Sequence, residues 1–106
     1  MAHRKDDVAW SDPALLILGS LASGPKHGYA IVKDTEEAVG VTLGPGTLYA
    51  ALSRLEERGH VRALPGDDRR RPYEITAAGS AVLAQRLEAM RRFATRGLAQ
   101  LRTARA

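Results

Sequence analysis

The sequence predicts a mainly α-helical fold with a small β-hairpin. Three segments of helical pattern with end signals lie before residue 60, two short alternating segments flank a Pro-Gly-Asp turn, and a long segment with seven-residue apolar periodicity follows. Three helices followed by a hairpin are typical of a winged helix-turn-helix. We therefore expect an N-terminal extension over residues 1–11, a winged helix-turn-helix DNA-binding domain over 12–76, and a C-terminal dimerisation helix with a basic tail over 77–106.

Capping signals delimit the first two helices. Asp12 and Pro13 start the first helix, because Asp caps free backbone N–H groups and Pro at the first helical position removes none that the helix needs. The sequence of this helix, ALLILGSLAS, is apolar on every side, which predicts a place at the centre of the core. The second helix is expected over residues 27–39, with Gly40 as its C-terminal stop.

The third helix is expected to begin at Gly44 and Pro45 and to end at Gly59. Leucines at helical spacing predict its buried stripe, namely Leu48, Leu52 and Leu55. The other faces carry small side chains near the N-terminus, and a slim face suits the major groove of B-DNA, which admits an α-helix. The alternative is an ordinary amphipathic helix with a solvated face, the commoner case for such a helix taken alone. The candidate DNA-contacting residues of this helix are Gly46, Thr47, Ala50, Ala51, Ser53 and Arg54.

The hairpin carries three adjacent arginines at its tip. Residues 61–64 and 73–76 alternate apolar and polar side chains, which predicts two short strands around the turn. Because like charges side by side repel, stability alone does not favour the run of Arg69, Arg70 and Arg71, called the wing arginines below. The run is either a solvated loop partly neutralised by two neighbouring aspartates or a contact with something negative. Its place directly after the candidate DNA-contacting helix favours the second interpretation.

A long last helix, capped by Thr76, is expected over residues 77–102. Its apolar residues recur in alternating steps of three and four, the pattern of a helix that pairs with another helix. Three helices and a hairpin have little need of so long a stripe, so we expect a homodimer across a two-fold axis. The alternative is a helix that folds back on its own core. The predicted dimer-interface residues are Leu83, Leu87, Met90, Phe93, Ala94, Leu98 and Leu101.

Composition and charge narrow the class of function. The 106 residues have a net charge of +4, and it is spread unevenly: residues 1–40 carry four basic and six acidic side chains, and residues 41–106 carry twelve basic and six acidic. A basic second half favours a polyanionic partner. The chain has no cysteine, which excludes disulfides and thiol catalysis. No apolar run resembles a signal peptide or a membrane span, so we expect a cytoplasmic protein without a membrane partner.

The sequence contains no recognisable catalytic constellation. His3, His27 and His60 lack metal-ligand spacing, and neither a Gly-rich phosphate loop nor a nucleophile with an evident base is present. We therefore expect no enzymatic activity, no metal and no cofactor.

The sequence resembles the PadR family of bacterial transcriptional regulators. The likeness lies in four stretches: LLILGSLASGPKHGYAI, PGTLYAALSRLEERGHV, RRRPYEIT and the AAG that follows. The resemblance implies a winged-helix repressor that binds DNA as a homodimer through its C-terminal helix, in the shorter branch of the family. From the residues alone, two tyrosines fit either a phosphate contact or the core. The family pattern assigns DNA contact to Tyr29, Thr47, Tyr49, Arg54 and the wing arginines.

The sequence departs from the family pattern at two points. Gly44 stands where a Ser or Thr cap is more usual, which weakens the start of the third helix. Some relatives bind flat aromatic compounds between tryptophans at the dimer interface, whereas the only tryptophan here, Trp10, precedes the first helix. An effector of that kind is not indicated, and any small-molecule effector is unidentified.

The expected function is sequence-specific regulation of transcription. Two DNA-contacting helices about 34 Å apart would recognise an inverted repeat in double-stranded DNA. The serious alternative is a winged-helix protein–protein interaction module without specific DNA binding. RNA is a weaker alternative, because the aromatic stacking surface expected for single strands is missing.

Overall fold

The computed structural model describes residues 12–67 and 71–105, which form four helices and one two-stranded antiparallel sheet. The elements in chain order are α1 (Pro13–Leu21), α2 (Gly28–Val39), α3 (Pro45–Glu57), β1 (Val61–Ala63), β2 (Tyr73–Ile75) and α4 (Ala77–Arg105). This order confirms the predicted fold class, three helices and a hairpin followed by a long helix. The expected extension over residues 1–11 lies outside the described residues.

Helix α1 lies at the centre of the fold. A carboxylate oxygen of Asp12 accepts hydrogen bonds from the backbone N–H groups of Ala14 and Leu15 at 3.0 and 3.4 Å, as the capping signal predicts. The helix packs against α2, α3, α4 and β2 at once. This explains its uniformly apolar sequence, since a helix with neighbours on most sides has little solvated surface. Ile17, in its middle, is completely buried.

Helices α2 and α3 end near their predicted stops. Helix α2 starts at Gly28, with His27 as its N-cap, and ends before Gly40, which has a left-handed φ of 74°. Helix α3 begins at Pro45 and ends at Glu57, two residues before the predicted stop. The predicted boundaries of both helices are therefore confirmed to within two residues.

Helix α3 buries the predicted leucine stripe and one residue more. Leu48, Leu52 and Leu55 are each exposed by no more than 2%. The expectation that Ala51 belongs to the DNA-contacting face is wrong, since this residue is also only 2% exposed. Ala51 follows Leu48 by three positions, and residues three and four apart share one side of a helix.

The hairpin is anchored to the loop between α1 and α2. Its strands pair with Val61 opposite Ile75 and Ala63 opposite Tyr73. Tyr73 also exchanges two backbone hydrogen bonds with Lys26, at 3.0 and 2.9 Å. The loop before α2 therefore lies beside β2, and the hairpin is held against the helices rather than projecting alone.

The first turn of α4 is fixed against the end of α3. The Thr76 hydroxyl accepts a hydrogen bond from the Gly79 N–H at 3.0 Å and donates one to the Gly59 carbonyl at 2.6 Å. A Cβ at Gly79 would lie 2.1 Å from the carbonyl oxygen of His60, so only glycine fits this close approach. The helix then continues to Arg105, three residues beyond its predicted end.

Only the N-terminal part of α4 belongs to the core of the chain. Leu83 is 6% exposed, and Met90 is half-buried against the core. Leu83, predicted at the dimer interface, therefore fills the core of its own subunit, as the alternative of a helix that folds back on the core expects for this part. Beyond Met90 the described residues are exposed, apart from half-buried Gly97. The predicted interface residues that remain exposed are Leu87, Phe93, Ala94, Leu98 and Leu101.

Candidate nucleic-acid interface

The exposed face of α3 presents small and polar side chains. Its exposed residues among those predicted to contact DNA are Gly46, Thr47, Tyr49, Ala50, Ser53 and Arg54. They face solvent because the leucine stripe and Ala51 place the opposite side of the helix in the core. Apart from Tyr49, none of these side chains before Arg54 is larger than that of Thr. Such a face can come close to the floor of a major groove.

The N-terminus of α3 offers free backbone donors. Gly44 is the N-cap and contributes no side-chain hydrogen bond, while Pro45 has no N–H. The Leu48 N–H donates to the Gly44 carbonyl at 2.9 Å, so the N–H groups of Gly46 and Thr47 precede the hydrogen-bond ladder of the helix and have no acceptor within it. Together with the partial positive charge of the helix N-terminus, these groups suit a phosphate oxygen.

Two tyrosines extend this surface from α3 to the start of α2. Tyr29 is 74% exposed and Tyr49 is 47% exposed, so neither is the core residue that the alternative interpretation describes. The Tyr49 hydroxyl lies 2.5 Å from the position that a Cβ on Gly28 would occupy. The missing side chain of Gly28 therefore lets the Tyr49 ring lie against the first turn of α2.

The hairpin lies beside the same surface. Partial burial raises the pKa of the Tyr73 hydroxyl above its usual value, the charges of Glu56 and Tyr49 raise it further, and the charge of Arg71 opposes the rise. Helix α3 contacts β1, whose Ala63 lies opposite Tyr73, so the hairpin lies beside α3. Arg71 itself is half-buried. The other two wing arginines lie outside the described residues.

Sequence reasoning missed the roles of Gly28 and Gly79. At each position another part of the chain approaches the glycine backbone, the Tyr49 hydroxyl at one and the His60 carbonyl at the other. The available signal was a glycine within the first turn of each helix, where alanine is the better helix former.

Metal binding and membrane insertion find no support in the described part of the chain. Across residues 12–67 and 71–105, no three histidine or carboxylate side chains come together as metal ligands. No helix in these two ranges combines the length and the apolarity that a membrane crossing requires.

Three helices, a wing-like hairpin and a slim exposed helix face define the class of winged-helix, DNA-binding transcriptional regulators. The chain belongs to the Transcriptional regulator PadR-like family, whose model matches residues 17–85. Members of this family are transcriptional regulators rather than enzymes, which confirms both the resemblance and the expectation of no enzymatic activity.

One curated relative is similar to most of this chain. An uncharacterized 37.1 kDa protein in transposon TN4556 of Streptomyces fradiae is 44% identical over 86 residues, which cover 81% of this chain and 25% of that protein. This chain therefore spans about a quarter of the length of that curated relative.

Solved structures also share the fold. A transcriptional regulator from Clostridium thermocellum has a TM-score of 0.71 and 29% identity, over 84% of this chain and 89% of its own. A PadR family transcription regulator from Clostridium difficile R20291 has a TM-score of 0.72 and 26% identity, over 84% of this chain and 96% of its own.

Proposed function

We propose that this chain binds an inverted repeat in double-stranded DNA as a homodimer and represses transcription from nearby promoters. The observation that carries the proposal is the exposed face of α3, which is slim and adjoins the start of α2 and the hairpin. A helix of this shape suits the major groove, while its flanks can contact the two phosphate backbones. A cytoplasmic location remains a prediction.

Each side chain of this face has a chemical role in the proposal. The hydroxyls of Thr47 and Ser53 bond phosphates or base edges, and the methyl group of Ala50 meets a thymine methyl. Arg54 lies farther along the helix, where it reaches the DNA backbone. Tyr29 contacts a phosphate through its hydroxyl. The wing arginines contact phosphates beside the α3 groove and supply much of the affinity.

The exposed stripe of α4 supports the homodimer. Leu87, Phe93, Leu98 and Leu101 are exposed by 48, 81, 57 and 61%. Large apolar side chains exposed together on one helix mark an interaction surface. A two-fold dimer through this stripe would present two α3 helices to one face of DNA, about 34 Å apart, which is the spacing of an inverted repeat.

Selection of binding sites from random duplexes tests the proposal. The expected product is a pair of inverted half-sites whose centres lie 10–10.5 base pairs apart, or a multiple of that spacing. Enrichment of no sequence would favour the protein-interaction module, and preferential binding of single-stranded RNA would favour the third alternative. Repression is tested separately, by placing the selected site across the promoter of a reporter gene. Lower reporter expression is expected when the protein is present, and higher expression would contradict the repressor assignment.

A matched pair of variants locates the DNA contact. We expect Ala50→Glu to weaken binding to the selected site at least ~100-fold, because it places a carboxylate among DNA phosphates and bases, and like charges in an interface cost several kcal/mol. The control is Ala84→Glu, which puts the same charge on an exposed alanine of α4. Fluorescence anisotropy measures both affinities. Equal affinities would place the DNA contact elsewhere.

A further inference from the structure

The ammonium group of Lys26 lies at the C-terminal end of α1. It donates one hydrogen bond to the backbone carbonyl of Ser20, at 2.5 Å, and one to the hydroxyl of Ser23, at 2.7 Å. The last carbonyls of a helix have no partner within it, and they carry the partial negative charge of its C-terminus. The last turn of α1 contains no basic residue. Lys26, from the loop that follows, therefore supplies both the donor and the positive charge that this helix end lacks.

The loop between α1 and α2 turns back so that Lys26 reaches this helix end. Gly24 has a φ of 135°, a backbone conformation that only glycine adopts readily, and its N–H donates to the Leu21 carbonyl at 3.1 Å. Pro25 follows, and its ring fixes a further backbone angle of the loop. The Lys26 side chain therefore reaches a carbonyl six positions earlier in the chain.

The backbone of Lys26 is bound to the hairpin. Its N–H donates to the Tyr73 carbonyl at 3.0 Å, and its carbonyl accepts from the Tyr73 N–H at 2.9 Å. Tyr73 is the first residue of β2, and in the sequence it follows the wing arginines and Pro72. One residue thus connects the end of α1, through its side chain, to the strand that follows the wing arginines, through its backbone.

Lys26 also directly precedes the start of α2. His27 is the N-cap of this helix, and Tyr29, a proposed phosphate contact, lies in its first turn. Helix α3 contacts both α2 and the hairpin strand β1. The two elements that Lys26 joins to α1 are therefore the ones that adjoin the proposed DNA-contacting face of α3.

We propose that Lys26 is a positioning residue for DNA binding, which holds the hairpin and the start of α2 in place and makes no phosphate contact of its own. The inference rests on the proposed function and goes beyond it, because Lys26 is not among the proposed DNA contacts. A lysine beside a DNA-binding surface is ordinarily interpreted as a phosphate contact. Here two of the three N–H donors of the ammonium group bind the end of α1. Its charge therefore acts on α1, and DNA binding depends on it indirectly.

The salt dependence of DNA binding distinguishes positioning from direct contact. Lys26→Met keeps the length of the side chain and removes the ammonium group. We expect it to weaken binding to the selected duplex about 10-fold, on the scale of one lost charge-assisted hydrogen bond. The slope of log affinity against log salt should stay the same, whereas loss of a phosphate contact would lower it by about one.

Two further variants serve as controls for this titration. Lys26→Arg keeps the positive charge and the N–H donors, so it should retain most of the affinity. Arg92→Met removes one positive charge from an exposed position on α4 and should change neither the affinity nor the slope. A Lys26→Met variant with a lower slope, or with the affinity of the natural chain, would overturn the proposal.

A double-mutant cycle tests whether Lys26 acts through the hairpin. In a chain whose wing arginines are all replaced with alanine, Lys26→Met should weaken binding by a smaller factor than in the natural chain. The reason is that displacement of a hairpin without its arginines removes fewer DNA contacts. Equal factors in the two chains would mean that Lys26 and the hairpin act independently, and this result would contradict the inference.

Amide hydrogen exchange tests the positioning without DNA. In Lys26→Met the Tyr73 amide should exchange at least ~10-fold faster than in the natural chain, and the Leu52 amide, in the buried part of α3, should change much less. An equal change at both amides would mean that the substitution only lowers the stability of the whole fold. No change at Tyr73 would mean that the ammonium group does not hold the hairpin. Either result would overturn the proposal.

The outcomes separate this inference from the proposed function. If the natural chain binds the selected duplex and Lys26→Met binds it with a lower salt slope, the inference fails and the proposed function stands. A natural chain that binds no duplex would remove the proposed function together with the inference.

Discussion

Gly28 is a residue at which α2 and α3 approach each other closely. A Cβ here would lie 2.5 Å from the Tyr49 hydroxyl and 3.1 Å from a methyl group of Leu48. Real Cβ atoms essentially never show the first distance, and the second is tight, so a larger residue must displace the Tyr49 ring or α3. The close approach of Tyr49 and Leu48 to the start of α2 therefore depends on the absence of a side chain at Gly28.

We expect Gly28→Ala to destabilise the fold by about 1–3 kcal/mol, the usual cost of inserting a methyl group into a packed site. Tyr49→Phe, which deletes the closest atom, should recover part of that loss in the double variant. Gly46→Ala is the control, because a Cβ there meets nothing within 4 Å. Urea unfolding measures the free energy of unfolding of Gly28→Ala, Tyr49→Phe, the double variant and Gly46→Ala. Equal stability of Gly28→Ala and Gly46→Ala would show that Tyr49 moves without cost.

At this scale the sequence predicts most of the site, but not every residue of it. Leucines at helical spacing define the inside of α3, so the exposure of Thr47, Ala50 and Ser53 followed from the pattern. Ala51 was misplaced because alanine is common on both faces of a helix, and only its spacing from Leu48 marks it as buried. The role of Gly28 could not be predicted, because it depends on which side chain of another helix lies opposite.

At the scale of elements, one ionic contact joins the two ends of the fold. The Asp12 carboxylate caps α1 and also accepts a hydrogen bond from the Arg86 guanidinium of α4 at 2.6 Å. Partial burial alone would raise the pKa of Asp12, but the hydrogen bond from Arg86, the backbone N–H groups of Leu15 and Ala14, and the positive charge of Arg86 lower it below its usual value. The ionised carboxylate therefore stabilises the packing of α4 on α1.

The pH dependence of this contact can be predicted. A carboxyl group whose pKa is lowered on folding stabilises the folded state above its unfolded pKa of about 3.9, and this contribution is lost as pH falls through the folded pKa. Asp12→Asn keeps the cap but removes the charge, so it should cost at most ~1 kcal/mol at pH 7, since the pair is 43% and 40% exposed. The difference in free energy of unfolding between Asp12→Asn and the natural chain should vanish near pH 2.

Arg86→Gln provides the matching half of a double-mutant cycle for this pair. Arg86→Gln should lower the free energy of unfolding less in the Asp12→Asn variant than in the natural chain, because the partner charge is already gone. Urea unfolding at pH 7 and pH 2 measures the four proteins. A destabilisation by Asp12→Asn that persists at pH 2 would mean that the cap geometry, and not the charge, is what the substitution damages.

Element boundaries were predictable where the chain contains a definite stop or start signal. Asp12-Pro13, Gly40 and Thr76 each lie at a helix end in the structure. The last helix runs past its predicted end because residues 103–105 include no Gly or Pro to stop it. The one-residue difference at the start of α2 reflects His27, which caps the helix through its backbone position and without a side-chain hydrogen bond.

At the scale of the whole molecule, the sequence did not show which part of α4 packs in the core of its own subunit and which part is exposed. The apolar stripe is continuous in the sequence, yet Leu83 is buried in the subunit core while Phe93 is 81% exposed. Periodicity identifies the face of a helix but not where along its length the neighbouring domain ends. The position on α4 where contact with the core ends depends on the size of the three-helix domain. The packed structure shows that size, and the sequence pattern does not.

The charge distribution of the whole molecule leads to the last prediction. If the dimer neutralises about 6–10 phosphates, its affinity for DNA should fall about 10³–10⁵-fold between 50 and 200 mM salt. Replacing Arg69 and Arg70 with alanine should weaken binding to all duplexes alike and reduce the slope of log affinity against log salt by about one per lost phosphate contact.

The matched control for the wing arginines removes the same charge from α4. Arg92 and Arg96 lie on the side of the helix away from its apolar stripe, so their replacement with alanine should leave the salt slope nearly unchanged. Anisotropy titrations at five salt concentrations would compare the three proteins on one duplex. If both double variants flatten the slope equally, the positive charge acts through the general field of the protein, and the hairpin has no direct contact with DNA.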